Sequence, residues 1–116
     1  MNIEDLREYC LSKKAATESF PFDETTLVFK VMNKMFAVTD LVDDFGVVIK
    51  CDPEEYLNMR ERYPAVQQAR YFRGSWNLVL IDGSIDVCLI REWIDKSYEL
   101  IVKGLTKKDQ KTLKEL

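Results

Sequence analysis

The residues of this chain best suited to chemistry are arginines set among aromatic rings. Between positions 59 and 76 the sequence places Arg60, Arg62, Arg70 and Arg73 among Tyr63, Tyr71, Phe72 and Trp76, with 4 basic side chains against 1 acidic. A guanidinium forms paired hydrogen bonds to a phosphate, and an aromatic face stacks on an unpaired base. That pairing of residue types points to nucleic-acid binding. The plainer account is that the arginine stems lie over the rings and pair with a nearby acidic surface. Composition by itself favours the plainer account, because the 116-residue chain carries a net charge of −3. That sign is wrong for a protein coated in nucleic acid and leaves a local patch as the form such binding would take. The patch is a true island: residues 1–58 hold 6 basic and 12 acidic side chains, and residues 77–102 hold 2 and 5. Residues 103–116, with 5 basic and 2 acidic, read as a solvated basic helix.

Other chemistries find little support. The chain has no histidine, which removes the commonest general base, the Ser-His and Cys-His pairs and the commonest transition-metal ligand. Cys10, Cys51 and Cys88 are odd in number and far apart, so they read as reduced, mostly buried thiols rather than a disulfide or metal set. Asp43-Asp44 and Asp82-Gly83 fit turn chemistry, and Asp52, Glu54 and Glu55 complement a helix dipole. Gly46, Gly74, Gly83 and Gly104 are isolated, so no loop cradles a phosphate. The expectation is a protein without cofactor, metal or catalysis. No apolar run reaches the roughly 20 residues that span a bilayer. The acidic, amphipathic start MNIEDLREYC does not read as a signal peptide. No membrane partner and a cytoplasmic location are therefore expected.

The elements that must position the island follow from periodicity and punctuation. A first helix is expected from Ile3 to about Lys14, capped by Asn2, with Ile3, Leu6, Tyr9 and Cys10 on one stripe. Phe20-Pro21-Phe22 cannot continue it and is expected to pack flat on the core as a connection. Leu27 to Thr39 reads as a hairpin turning at Asn33-Lys34, pairing Met32 with Met35, Val31 with Phe36 and Phe29 with Val38. That register puts Leu27, Phe29, Val31, Phe36 and Val38 on one apolar face. A third strand, Phe45 to Cys51, turns Val47 and Ile49 to one side and Val48 and Lys50 to the other. Asp52 then caps a helix with Pro53 at its first position, ending at about Tyr63 before Pro64. A second hairpin, Ala65 to Ile81, is expected to turn at Arg73-Gly74 and pair Tyr71 with Trp76 and Ala69 with Leu78. Ser84 caps a long helix, Ile85 to Lys103, ended by a left-handed Gly104. Thr106 with Asp109 starts a short last helix. The apolar fraction of 47% suffices for one core. The sum is a single α+β domain over residues 1–116: an antiparallel sheet in the order helix, three strands, helix, two strands, helix, plus the short C-terminal helix.

The blocks TESFPFDETTLVFKVMNKMFAV, IKCDPEEYLNMRERYPAV, SWNLVLIDGSI and IDKSYELIVKGLTKK stand in this order along nearly the whole chain. In that order they resemble the MmcQ/YjbR family of small bacterial proteins. The resemblance implies a fold like frataxin and the type III secretion chaperones, in agreement with the element order above. It also implies DNA binding by a double wing, in which hairpins act as the wings. Carried onto this chain, the wings are the turns at Asn33-Lys34 and Arg73-Gly74. The contacts are then Lys30, Lys34, Arg70 and Arg73, with Trp76 packing or stacking beside them. Before its tryptophan this chain reads YFRGSW, where the family pattern has an Asn-Lys pair and a histidine. Arg73 can stand for the lysine's charge, and the histidine has no counterpart. Two other functions are set beside DNA binding. One is a protein-interaction or chaperone-like adaptor using a sheet or helix face. The other is a frataxin-like metal binder, for which Glu4, Asp5 and Glu8 of the first helix are few.

Overall fold

Asn2 opens the first helix by exchanging hydrogen bonds with Asp5. Its Oδ1 accepts from Asp5 N at 2.8 Å, and its own N–H donates to Asp5 Oδ2 at 3.1 Å. In the computed structural model, which describes residues 1–116, this capping box starts α1 (Ile3–Leu11). The helix stops at Leu11, short of the expected Lys14. Ser12 is its C-cap, and Ala15, at φ +60, swings the chain into an unexpected strand, β1 (Ala16–Ser19). ATES has no apolar alternation, so nothing in it announces a strand. Its pairing with β2 (Thr26–Val31) supplies the order, aided by an ion pair from Arg7 to Glu18. Phe20 and Phe22 do not pack on the core; they are 48% and 63% exposed.

The first hairpin turns one residue earlier than expected, at Met32-Asn33, with φ of +49 and +66. Two positive φ values in a two-residue loop are the signature of a type I′ turn, whose twist suits flanking strands. Val31 therefore faces Lys34 on β3 (Lys34–Asp40), and Lys30 faces Met35. The register shifts between Lys30 and Phe29, which faces Ala37, so Phe36 has no ladder partner. This β-bulge puts both Phe36 and Ala37 into the core with Leu27, Phe29 and Val31. It also turns Val38, opposite Val28, to the other face, correcting the expected set.

β4 (Gly46–Lys50) runs antiparallel to β3 and alternates as expected, Val47 and Ile49 inward. α2 (Tyr56–Arg62) begins later than its sequence suggested, with Glu55 at the N-cap. Asp52 instead receives Glu54 N at 2.8 Å in the turn before it. β5 (Val66–Gln68) and β6 (Trp76–Leu80) pair Val66 with Val79 and Gln68 with Asn77. That register leaves residues 69–75 as an open loop rather than a tight turn at Arg73-Gly74. α3 (Val87–Lys103) is capped by Asp86, whose carboxylate takes Cys88 N at 2.7 Å. Ser84 is already held by Asp82. Gly104 is right-handed at φ −81, and Thr106 starts α4 (Lys107–Glu115) by accepting from Asp109 N at 3.1 Å.

The sheet order is β1-β2-β3-β4-β6-β5, every neighbour antiparallel. The α+β class and the hairpin–helix–hairpin order are as the sequence reading expected. Leu6 and Cys10 of α1, Ile90, Trp93 and Ile94 of α3 and Leu113 of α4 meet the sheet residues in one buried cluster. The opposite face is covered by no helix along its groove, which strand and loop residues alone line.

Candidate nucleic-acid interface

Phe29, Ala37, Ile49, Asn77 and Gln68 form one row of partners across β2, β3, β4, β6 and β5. Both the Met32-Asn33 turn and the 69–75 loop lie beyond the same end of that row. The two proposed wings therefore project from one end of the sheet. Three strand spacings of about 4.8 Å put them about 14 Å apart. Between them β4 runs into the 52–55 turn, where Asp52, Glu54 and Glu55 are exposed.

The five residues named from the sequence divide into two groups. Lys34 is exposed at the start of β3, and Lys30, half-buried on β2, faces Met35 and Thr17. Arg70 and Arg73 are exposed in the 69–75 loop and share a pocket of about 490 Å³ with Arg60. Trp76 opens β6 next to that loop and is half-buried. Its ring packs against Phe72 at 5.2 Å and lies 5.7 Å beneath Lys50 Nζ, so it is a packing residue with one cation over it. The lysine pair is not brought into the arginine pocket.

Arg60, Lys50 and Asn77 are the contributors the sequence reading did not single out as site residues. Lys50 faces Trp76 across the β4–β6 pair, on the side away from Ile49. Strand alternation already carried that signal. Arg60 is fixed more elaborately. Its Nε donates to Asn77 Oδ1 at 2.7 Å, and its Nη2 donates to the Trp76 carbonyl at 3.4 Å. Its guanidinium lies 5.1 Å over the Tyr56 ring. Asn77 is fully buried and uses its Nδ2 on the Tyr56 carbonyl at 3.0 Å. Arg62, by contrast, lies over Tyr63, whose ring meets Trp93 edge-on, and does not line the pocket.

The chain's ion pairs are Arg7 with Glu4 and Glu18, and Lys13 with Asp95. None involves Arg60, Arg70 or Arg73. The plainer account holds in one half only: Arg60 and Arg62 lie over the Tyr56 and Tyr63 rings, but no arginine of the island pairs with a carboxylate. Tyr71, beside them, is 88% exposed. The opposite end of the sheet carries Asp23, Glu24, Asp43 and Asp44, all exposed, so the molecule is polarised along its strands. Burial pushes the thiols of Cys10 and Cys51 up to about 12 and about 11, which keeps both neutral. Cys88 is exposed, and no cluster of three or more His, Cys, Asp or Glu side chains is placed to hold a metal. No helix is long and apolar enough to cross a membrane.

The YjbR family model matches residues 11–100. Over 118 aligned residues the chain is 30% identical to the protein YjbR of Escherichia coli (strain K12), covering 100% of both. It is 29% identical over 97 residues to YbdF of Escherichia coli O157:H7, covering 82% of this chain and 80% of that one. The crystal structure of Deinococcus radiodurans protein DR2400, a DUF419 domain, superposes with a TM-score of 0.88 at 35% identity, covering 97% of this chain and 87% of that chain. A crystal structure of a Pseudomonas syringae protein shares the fold, with a TM-score of 0.75 at 20% identity over 86% of this chain and 98% of that chain.

Proposed function

This chain belongs to the YjbR family, and we propose that it is a non-catalytic, cytoplasmic DNA-binding protein that holds the phosphate backbone with the two turns at one end of its sheet. The observation that carries the reading is the arginine trio lining one pocket without a carboxylate partner. Unneutralised guanidiniums beside an exposed tyrosine suit phosphates and unpaired bases. Lys30 and Lys34 supply a second cationic point about 14 Å away. The acidic 52–55 turn between the wings repels a stiff duplex laid across both. A flexible strand that follows the 69–75 loop avoids that repulsion. Single-stranded DNA is therefore the better ligand, with duplex weaker.

The test is a fluorescence-anisotropy titration of a short labelled single strand and the matching duplex at low and moderate salt. The expected result is salt-dependent binding that drops at least ten-fold in the Arg70→Ala/Arg73→Ala double variant. A second reading, a protein-interaction adaptor, is favoured by one observation. A groove of about 1200 Å³ crosses the helix-free face, floored by Val38, Val48, Leu78 and Leu80. Val42, at its rim, is 72% exposed. Absence of binding to either DNA at low salt overturns the first reading in favour of this one.

A further inference from the structure

We propose that the pocket over Arg60, Arg70 and Arg73 is a site for a phosphomonoester dianion carrying a planar base. That group occurs in a free nucleoside monophosphate and at the phosphorylated end of a strand. The inference deepens the DNA-binding reading, and rests on it where the phosphate belongs to a strand.

Asn77 gives the first reason. It is fully buried in the row of partners that crosses the sheet, between apolar Ile49 on β4 and Gln68 on β5. A buried amide is costly unless both its ends are hydrogen-bonded. Here the Nδ2 end holds the backbone of α2 at Tyr56, and the Oδ1 end holds Arg60 Nε. A core position is thus given to a polar residue whose oxygen serves to orient one arginine. Stacking on Tyr56 and the bond to the Trp76 carbonyl restrict that arginine further. Its Nη1 has no partner in the chain. Asn77 is a positioning residue for a guanidinium whose remaining donors are left for something else.

Charge gives the second reason. Arg7, elsewhere in the chain, meets two carboxylates. The pocket's three arginines meet none. A phosphodiester offers one negative charge and two free oxygens. A monoester near pH 7 carries close to two charges and three strong acceptor oxygens, which matches three guanidiniums better. Shape gives the third reason. The pocket, at about 490 Å³, has far more room than inorganic phosphate fills, and Tyr56, Tyr71 and Phe72 form part of its wall. Tyr56 already carries Arg60 and Phe72 packs on Trp76, so exposed Tyr71 is the ring on which a base attached to that phosphate would stack.

The experiment is a calorimetric titration of the full chain with AMP, adenosine and inorganic phosphate. A second set uses a short single strand phosphorylated at its 5′ end, at its 3′ end, or at neither. AMP is expected to bind at least ten-fold more tightly than adenosine or inorganic phosphate, and one phosphorylated strand at least ten-fold more tightly than the unphosphorylated one. Arg60→Gln should abolish both preferences. Asn77→Asp, which gives Arg60 a carboxylate partner, should weaken both. Arg91→Gln, which removes a positive charge lying over Tyr9, should leave them unchanged. Melting temperatures confirm folding, and if Asn77→Asp does not fold, Arg60→Gln carries the test. Equal binding of all three strands with no AMP binding overturns the pocket assignment and leaves the backbone-binding reading standing. AMP binding without strand binding supports the pocket and overturns the DNA reading. No binding by AMP or any strand overturns both.

Discussion

Ser97 Oγ donates a 2.6 Å hydrogen bond to the Phe36 carbonyl and accepts one of 2.9 Å from Lys50 N. Phe36 is the bulged residue of β3, and Lys50 is the last of β4. These strands pair only through Ala37 with Ile49 and Val38 with Val48, then part toward the basic end. Ser97, fully buried on α3, fills the gap and satisfies a backbone group on each side. It ties the helix to β3, which leads from the first wing, and to β4, which leads to the acidic 52–55 turn.

Ser97→Ala should therefore cost about 1–3 kcal/mol, the penalty of leaving buried backbone groups unpaired. Urea denaturation measures it. A loss below about 0.5 kcal/mol, typical of a surface change, would mean that water or a strand shift replaces the hydroxyl.

Gly46 should not tolerate a methyl group. A Cβ there would sit 2.7 Å from the Val79 carbonyl oxygen and 3.2 Å from Leu80 Cα, both backbone atoms that cannot rotate away. β4 and β6 pack this closely because Gly46 faces Leu80 on the groove side. Gly46→Ala is expected to destabilise by about 1–3 kcal/mol, like other overpacking changes. An unchanged denaturation midpoint would show that the two strands can part at this point without loss.

What the sequence disclosed, and what it hid, divides by the range of the deciding interaction. Val47 and Ile49 alternate with Val48 and Lys50 within five residues, so that strand was legible. Asn2 and Thr106 announced their helices through side chains that reach only three residues ahead. The first turn was misplaced by one residue because Phe36 bulges, and the bulge is held by Ser97, 61 positions away. β1 was invisible because ATES acquires order only from β2 and from Arg7. The site follows the same rule. Arg70, Arg73 and their charge island were plain in the sequence. The role of Arg60 was not, since its partner Asn77 lies on another element and reads as an ordinary strand residue.

Acid should weaken the fold in a way that Glu18 helps to set. Hydrogen bonds from Arg7, first among the causes, hold the Glu18 carboxyl below its usual range. Asp23 is lowered by the Thr25 amide and the Thr26 hydroxyl, and Asp82 by the Ser84 hydroxyl and amide. A folded value below the unfolded one means stability is full above the unfolded carboxylate range, about 4. It is lost as pH falls from there through the folded values. The melting temperature should fall between neutral pH and about pH 3, and Glu18→Gln should lower it at neutral pH while blunting the acid-induced fall. An equally steep fall in that variant would remove the Arg7–Glu18 pair from the acid response.

The separation of the wings makes the two cation pairs distinguishable. A flexible single strand that follows the 69–75 loop meets Arg70 and Arg73 and bends away from the acidic turn that separates it from the lysines about 14 Å away. A duplex is too stiff to bend away, so it meets both ends and bears the repulsion of that turn, which weakens its binding without removing the lysine contacts. Each phosphate contact contributes about 0.7 to the salt slope on single strands and about 0.9 on duplex. Arg70→Ala/Arg73→Ala should lower the slope by about 1.4 on the strand and about 1.8 on the duplex. Lys30→Ala/Lys34→Ala should lower it on the duplex by up to about 1.8 and leave the short strand unaffected, because only the duplex bridges the acidic turn. Anisotropy titrations over a series of salt concentrations give all four slopes. If the lysine variant changes neither ligand, the first hairpin is not a wing, and the site contracts to the loop that carries Arg70 and Arg73.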